Sequence, residues 1–265
     1  MSSADEFIRL VDIMARLRAP GGCPWDREQS HRSLRPYLIE EAYELLEAIE
    51  REDAEGIKEE LGDLLLQVVF HAQVAAERGD FDIGDVCSAI SRKLERRHPH
   101  VFGTLSVRNS ADVIRNWGRI KAGERLGRGG SASTLAGVPA SLPALLGAER
   151  LGEKARRVGF DWPSVEAVLA KVREELEELE SAVAAANEDE ARAELGDLLL
   201  TLASVGRHLG HSAELALRAA AARFVARFQE MERRANKEGP PLDERSPEDL
   251  DRLWQAAKQL LAETD

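Results

Sequence analysis

The chain has 265 residues, of which 43% are hydrophobic and 32% charged, an ordinary composition for a soluble helical protein and a length that admits two domains. Its formal net charge of −12 argues against a nucleic-acid backbone as the main partner, because that interaction depends on surplus lysine and arginine, although a small polyanion could still bind through a metal ion. No apolar run approaches the length of roughly 20 residues that a membrane span needs, so we expect no membrane segment. The sequence also lacks the apolar core of a signal peptide, and its two cysteines do not have metal or disulfide spacing. We therefore expect a cytoplasmic protein.

The chain begins with a predicted amphipathic helix and a long irregular segment. Apolar residues from Phe7 to Leu17 mark one face of a helix that ends near Arg18. Prolines and glycines then frame residues 19–36, a stretch that is long for a mere connector. This segment contains Trp25, which we expect to anchor the core.

An acidic helical hairpin follows. Its first helix opens at about Tyr37, and its second runs from about Ala54 to Arg78. The second helix is apolar nearly all round beyond Asp63, so it needs packing partners on every side. A bundle of at least four helices, or a dimer, is therefore predicted.

The rest of the chain also predicts helices. In order they are a helix at about residues 83–97, one capped by Ser110, one at about residues 141–158, a second acidic hairpin, a long helix at about residues 212–237 and a last helix capped by Ser246. Residues 126–140, rich in glycine and serine, predict a linker. Because no strand pattern competes anywhere, the sequence predicts an all-α protein of two tandem homologous helical-bundle domains, residues 1–125 and 141–265.

The homology of the two halves shows in a repeated segment. The sequence E-L-G-D-L-L-L occurs at Glu60–Leu66 and again at Glu194–Leu200. Upstream of each copy stand three more acids, and every matching acid is offset by 134 residues. These upstream acids are Glu40, Glu41 and Glu44 in the first half and Glu174, Glu175 and Glu178 in the second.

The spacing of these acids predicts two clusters of carboxylates. Glu44 and Glu60 are equidistant from residue 52, where a turn is expected, and so are Glu41 and Asp63. Residues equidistant from the turn of an antiparallel hairpin lie at the same height, so these four carboxylates converge. The second half repeats the arrangement about residue 186 with Glu175, Glu178, Glu194 and Asp197.

Converging carboxylates on a partly buried face repel one another, so we expect a cation among them. A set of carboxylate oxygens suits Mg²⁺, for which Mn²⁺ can substitute, rather than Zn²⁺ or iron. Mg²⁺ held in this way typically completes its shell with water and substrate phosphates, which favours hydrolysis of a phosphate ester or anhydride. A lone E-E-x-x-E stretch would instead be read as a solvated helix face. A di-iron site is disfavoured because the E-x-x-H matches at Glu28 and Glu95 lie outside the hairpins.

With these motifs the sequence resembles the MazG-type nucleoside triphosphate pyrophosphohydrolases. The resemblance covers almost the whole chain and includes residues 22–34, both acidic sets, residues 93–102 and residues 158–162. It implies an all-α tandem fold whose halves pair across a homodimer. It also implies Mg²⁺-dependent hydrolysis of NTPs and dNTPs to the monophosphate and pyrophosphate, and removal of unwanted nucleotides as the cellular role.

The resemblance also implies roles for particular residues. Mg²⁺ would be held by Glu175, Glu178, Glu194 and Asp197, with a second, weaker site at Glu41, Glu44, Glu60 and Asp63. The residues around the triphosphate and base would be Lys171, Arg223, Arg227, Trp254 and Lys258. Glu174, beside the ligands, is the candidate that takes a proton from the attacking water.

Basic residues distinguish the two halves, and they favour the second as the main catalytic half. By the offset of 134, Lys171 corresponds to Tyr37, Arg223 to Ala89 and Arg227 to Lys93, so the first half keeps one of the three cations. Its other basic residues, Arg92, Arg96 and Arg97, could approach a ligand from another direction, which leaves weak activity of the first half open. An alternative of another class is a non-catalytic dimeric helical adaptor that binds metal for stability alone. The cations Lys171, Arg223 and Arg227 argue against it, because a purely structural Mg²⁺ site would not need them.

Overall fold

The computed structural model describes residues 2–127 and 133–262, and the chain divides into two compact units, Met1–Trp117 and Gly118–Asp265. All regular elements of the described residues are helices, which confirms the predicted all-α fold of two tandem helical domains. None of the helices in these two ranges has the length and apolar character needed to cross a membrane.

The boundary between the units falls inside a helix, Ser110–Gly127, rather than in the predicted linker. Of that linker, residues 128–132 lie outside the described residues, and residues 133–140 form turns without a helix. The domain limits at residues 125 and 141 stay a prediction.

The first unit consists of six helices and part of a seventh. They are α1 (Ser3–Arg18), α2 (Pro24–Glu28), α3 (Arg35–Glu50), α4 (Ala54–Ala76), α5 (Ile83–Arg97), α6 (Pro99–Phe102) and α7 (Ser110–Gly127), which continues into the second unit. The central helix α4 packs against α1, α3 and α5. Its buried cluster comprises Met14, Leu34, Val69, Phe70 and Val74.

The second unit repeats the hairpin and adds a helical pair. Its helices are α8 (Ala144–Arg156), α9 (Val165–Ala184), α10 (Glu188–Leu209), α11 (Ala213–Glu238) and α12 (Pro247–Ala262). The hairpin partners α9 and α10 pack along their length, and α8 covers α10. A second cluster, Met231, Ala235, Leu253 and Ala257, joins α11 to α12.

Trp25 does not anchor the core, so that prediction was wrong. The short helix α2 that carries it buries none of its residues, and Trp25 is 50% exposed. Its ring instead meets Tyr37 edge-on, with ring centroids 5.8 Å apart.

A buried guanidinium holds the irregular segment of the first unit in place. The Arg18 side chain is only 5% exposed and donates to both carboxylate oxygens of Glu77, at 2.8 and 2.7 Å. It also donates to the backbone carbonyls of Asp26 and Gln29. Arg18 therefore joins the end of α1, the segment before α3 and the end of α4, and charge-assisted bonds of this kind are the strong ones.

In the second unit, too, a guanidinium holds the segment before the hairpin in place, but it comes from a different helix. Arg207, on α10, binds both carboxylate oxygens of Asp161, at 2.8 and 2.5 Å. The residue that corresponds to Arg18 by the offset of 134 is Gly152. A Cβ atom on Gly152 would lie 3.0 Å from Nε of Arg207, so the guanidinium of Arg207 occupies space that the missing side chain leaves.

The turns at the tips of the two hairpins have the same backbone. Among the described residues, the non-glycine residues with positive φ are Glu52, at 54°, and Ala186, at 52°. They lie at the two turn centres that the acid spacing predicts.

Two backbone bonds close the turn at residue 186. The amide of Asn187 donates to the carbonyl of Ala182 at 3.0 Å, and the amide of Ala186 donates to that of Val183 at 3.0 Å. This is the Schellman pattern that ends helices. The first hairpin has the same pair of bonds 134 residues earlier. The side-chain oxygen of Asn187 then caps α10 by accepting a hydrogen bond from the backbone amide of Glu190.

We expect Ala186→Gly to raise the free energy of unfolding by about 0.5–1 kcal/mol. A left-handed backbone costs an L-residue roughly 1–2 kcal/mol that glycine avoids, and the greater freedom of glycine in the unfolded chain offsets about 0.4–1 kcal/mol of this gain. Urea unfolding followed by circular dichroism measures the change.

The matched control is Ala185→Gly, one residue earlier, where φ is −79°. This change should lower stability by roughly 0.5–1 kcal/mol, because glycine then adds only unfolded-state freedom. A destabilised Ala186→Gly protein would contradict the strain assigned to this turn.

Candidate active site

Three carboxylates of the second unit converge between α9 and α10. Glu175, Glu194 and Asp197 each offer an oxygen, and these atoms all lie within 4.8 Å of one another. Glu175 is 5% exposed, Glu194 is half-buried and Asp197 is exposed. The group is thus buried on the α9 side and open to solvent on the Asp197 side, so a ligand can approach an ion held there.

The fourth predicted ligand, Glu178, lies outside this close group but within electrostatic reach. Partial burial, and then the charges of Glu178, Glu175 and Asp197, raise the pKa of Glu194 above its usual value. Carboxylates raise each other's pKa only when they are close. Glu178 is exposed, and its role as a metal ligand stays a prediction.

A lysine one turn before Glu175 is already engaged with the acids. Nζ of Lys171 lies 2.7 Å from an oxygen of Glu174 and 2.7 Å from an oxygen of Glu175. These bonds, to Glu174 first and then to Glu175, raise the pKa of Lys171 above its usual value. Glu174, the candidate proton acceptor, is exposed at this position.

The first unit forms the same group without such a lysine. Oxygens of Glu41, Glu60 and Asp63 lie within 4.8 Å of one another, and all three residues are half-buried. Burial first, and then the charges of Asp63, Glu44 and Glu60, raise the pKa of Glu41. The position that corresponds to Lys171 holds Tyr37, whose ring contacts Trp25.

Both groups fit a hard divalent cation. Every donor atom is a carboxylate oxygen, the type that Mg²⁺ and Mn²⁺ prefer, and neither group includes histidine or cysteine. Within the described residues these are the two groups in which three or more metal-capable side chains converge.

The remaining predicted substrate-binding residues lie on α11 and α12, which pack against each other. Arg223 and Arg227 are one turn apart on α11, and Trp254 and Lys258 are one turn apart on α12. The Trp254 ring contacts Phe224, with ring centroids 5.3 Å apart. The helical spacing of residues 223–228 places the two arginines on the side of α11 that also carries Phe224.

The sequence interpretation missed Phe224 and Phe228. Their rings are stacked with centroids 6.0 Å apart, and both are exposed. The signal was present in the run R-F-V-A-R-F at residues 223–228, where each candidate arginine precedes a phenylalanine. We refer to Arg223, Phe224, Arg227, Phe228 and Trp254 as the basic-aromatic face.

Comparison with known proteins identifies the family. Residues 29–102 and residues 163–236 each match the MazG nucleotide pyrophosphohydrolase domain. The chain belongs to the MazG family. The two matched segments contain the two carboxylate groups, and the second also contains Lys171, Arg223 and Arg227. Trp254 and Lys258 lie beyond the second segment.

Named relatives align with this MazG chain over nearly its whole length. It is 45% identical to a nucleoside triphosphate pyrophosphohydrolase of Escherichia coli, over 96% of this chain and 98% of that protein. It is 48% identical to the nucleoside triphosphate pyrophosphohydrolase/pyrophosphatase MazG of Thermotoga maritima, over 95% of each chain. A Bacillus subtilis protein, YabN, is 46% identical over 96% of this chain but only 52% of its own length.

Proposed function

We propose that this chain hydrolyses NTPs and dNTPs to the nucleoside monophosphate and pyrophosphate, with Mg²⁺ or Mn²⁺ as cofactor. The observation that carries the proposal is the close group of Glu175, Glu194 and Asp197, with a lysine beside it, in a chain aligned end to end with named pyrophosphohydrolases. We further propose removal of unwanted nucleotides as the cellular role. The cytoplasm is the proposed location, in keeping with the free thiols of Cys23 and Cys87.

The second unit contains a candidate for each group that this reaction needs. Glu175, Glu194 and Asp197, with Glu178 beside them, would hold Mg²⁺, which when bound offsets the charge of the phosphate oxygens. Lys171, Arg223 and Arg227 would neutralise the rest of the triphosphate. The basic-aromatic face would take the base by stacking it near Trp254, with Lys258 one turn away.

The proposed chemistry is attack of water on the α-phosphorus. A bond forms from the water oxygen to this phosphorus, and the bond from the phosphorus to the bridging oxygen of the β-phosphate breaks. Pyrophosphate leaves with the electron pair of that bond. Glu174 would accept the proton that the water loses.

The products decide between this proposal and its alternatives. We expect purified protein with Mg²⁺ to convert members of the eight common NTPs and dNTPs to monophosphate and pyrophosphate, and to lose this activity in EDTA because the acids then repel the triphosphate. Anion-exchange chromatography identifies the products. Diphosphate plus phosphate would indicate an ordinary phosphohydrolase, and absence of turnover would favour the metal-binding adaptor.

The second unit is proposed to carry most of the turnover. We expect Glu194→Gln to lower kcat by roughly a hundredfold, the upper range for disturbing a metal site. The corresponding change in the first unit, Glu60→Gln, should leave most of the activity. Steady-state kinetics on the two full-length variants, with folding checked by circular dichroism, makes the comparison, and the reverse order would assign turnover to the first unit.

We also propose that the chain forms a homodimer. Leu61, Leu65 and Val68 follow one face of α4, and all three are at least 39% exposed within the chain. The offset of 134 gives Leu195, Leu199 and Leu202 on α10, which are equally uncovered. At 100° per residue these stripes point away from the acids of the same helix. A second copy would cover apolar surface that water otherwise meets.

Light scattering tests the dimer directly. We expect the mass of two chains at micromolar concentration, and a shift toward the mass of one chain when both Leu65 and Leu199 are changed to glutamate, because buried unpaired charges oppose association. The change of exposed Arg173 to glutamate is a control that keeps the dimer mass. A monomeric wild-type protein would refute the proposal.

A further inference from the structure

The two carboxylate groups differ in one residue that bears directly on how they take up metal. In the second unit the ammonium of Lys171 contacts the buried oxygen donor Glu175 at 2.7 Å. In the first unit the corresponding position holds Tyr37, which contacts Trp25. The acids themselves are the same, since Glu41, Glu60 and Asp63 correspond in sequence to Glu175, Glu194 and Asp197.

We propose that Lys171 acts as a resident cation, an ammonium group that occupies the second site in place of a metal ion. It lowers the affinity of this site for a divalent ion that binds without nucleotide, and it no longer does so when the ion binds together with a triphosphate. The first site, with Tyr37 at this position, takes up a divalent ion without nucleotide. This inference rests on the proposed function, because it assigns the second site the triphosphate as its substrate.

The reason is a competition between cations for Glu175. A divalent ion bound among Glu175, Glu194 and Asp197 draws on the same carboxylate that Lys171 now contacts, and its positive charge opposes the nearby ammonium. When the metal binds, the ammonium loses this buried partner and keeps only its contact with exposed Glu174. An exposed ion pair of that kind is weak, so metal alone binds at a net loss of one favourable contact.

A triphosphate changes this balance because it offers the displaced ammonium new anionic oxygens. Lys171 is 32% exposed, so its side chain can turn from Glu175 toward a ligand on the solvent side. Metal and nucleotide then each strengthen the binding of the other. This coupling is reciprocal by thermodynamic necessity.

Binding of Mn²⁺ without nucleotide tests the inference, and electron paramagnetic resonance of free Mn²⁺ provides the readout. The full-length chain is used, with Glu60→Gln to silence the first site or Glu194→Gln to silence the second. On the Glu60→Gln background, Lys171→Met should tighten Mn²⁺ binding at the second site by about threefold to tenfold.

Two further variants provide matched controls. Lys171→Arg keeps the positive charge, so Mn²⁺ affinity should stay within about twofold of the parent. On the Glu194→Gln background, Tyr37→Lys places an ammonium one turn before Glu41 and should weaken Mn²⁺ binding at the first site by a similar threefold to tenfold.

The outcomes separate this inference from the proposed function. Unchanged or weaker Mn²⁺ binding in Lys171→Met, with circular dichroism of the folded protein, overturns it. So does unchanged affinity in Tyr37→Lys. Absence of pyrophosphate production by the wild-type chain would reject the proposed function, whereas the Mn²⁺ shifts measured without nucleotide would still report on the resident cation.

Discussion

The register of the two helical hairpins depends on one left-handed residue at each tip. Glu52 and Ala186 reverse the chain there, and the Schellman bonds around them fix where one helix ends and the next begins. A slip of one residue would rotate the second helix by about 100° relative to the first. Glu194 and Asp197 would then leave Glu175, and the carboxylate group would not form. A strained turn of about four residues thus positions side chains two and three helical turns away.

That register places like charges together, which opposes folding. In the first unit the cost shows in the raised pKa of Glu41 and of Glu60, each caused by burial and by the other carboxylates. In the second unit Lys171 offsets part of the repulsion at Glu175. Charged groups whose mutual repulsion lowers stability are typical of functional sites, where a bound ligand of opposite charge offsets the repulsion.

The sequence predicted the features that depend on periodicity and symmetry. Acids equidistant from residues 52 and 186 located both turns and brought Glu175 to Glu194 and Asp197, and the helix from Ile83 to Arg97 has its predicted bounds. Capping patterns and the offset of 134 were sufficient for these, because they are local or repeat within the chain. The ligand role of Glu178 and the formation of a homodimer do not follow from these patterns, and both stay predictions.

Contacts between distant segments could not be read from these patterns. Arg18 lies 59 residues from Glu77, and Arg207 lies 46 residues from Asp161. A charged residue near a helix end has many possible partners, and only packing selects one. Trp25 was misplaced for a related reason, since its size suggested the core, whereas the short helix α2 that carries it buries none of its residues. The contact of Phe224 with Trp254 likewise depends on how α12 folds back on α11.

The buried arginine lies on α1 in the first unit and on α10 in the second, and this difference affects whether the duplicated chain could be reduced to one unit. A crossover between the two E-L-G-D-L-L-L segments would delete 134 residues and leave a single hybrid unit. That hybrid would keep the hairpin turn and the acids, which the two halves share. It would also inherit both Arg18 and Arg207 with neither Glu77 nor Asp161, and so two buried cations without a counter-ion. Since an uncompensated buried charge costs roughly 3–5 kcal/mol, a large fraction of a domain's stability, the duplication resists contraction once the two anchors have diverged.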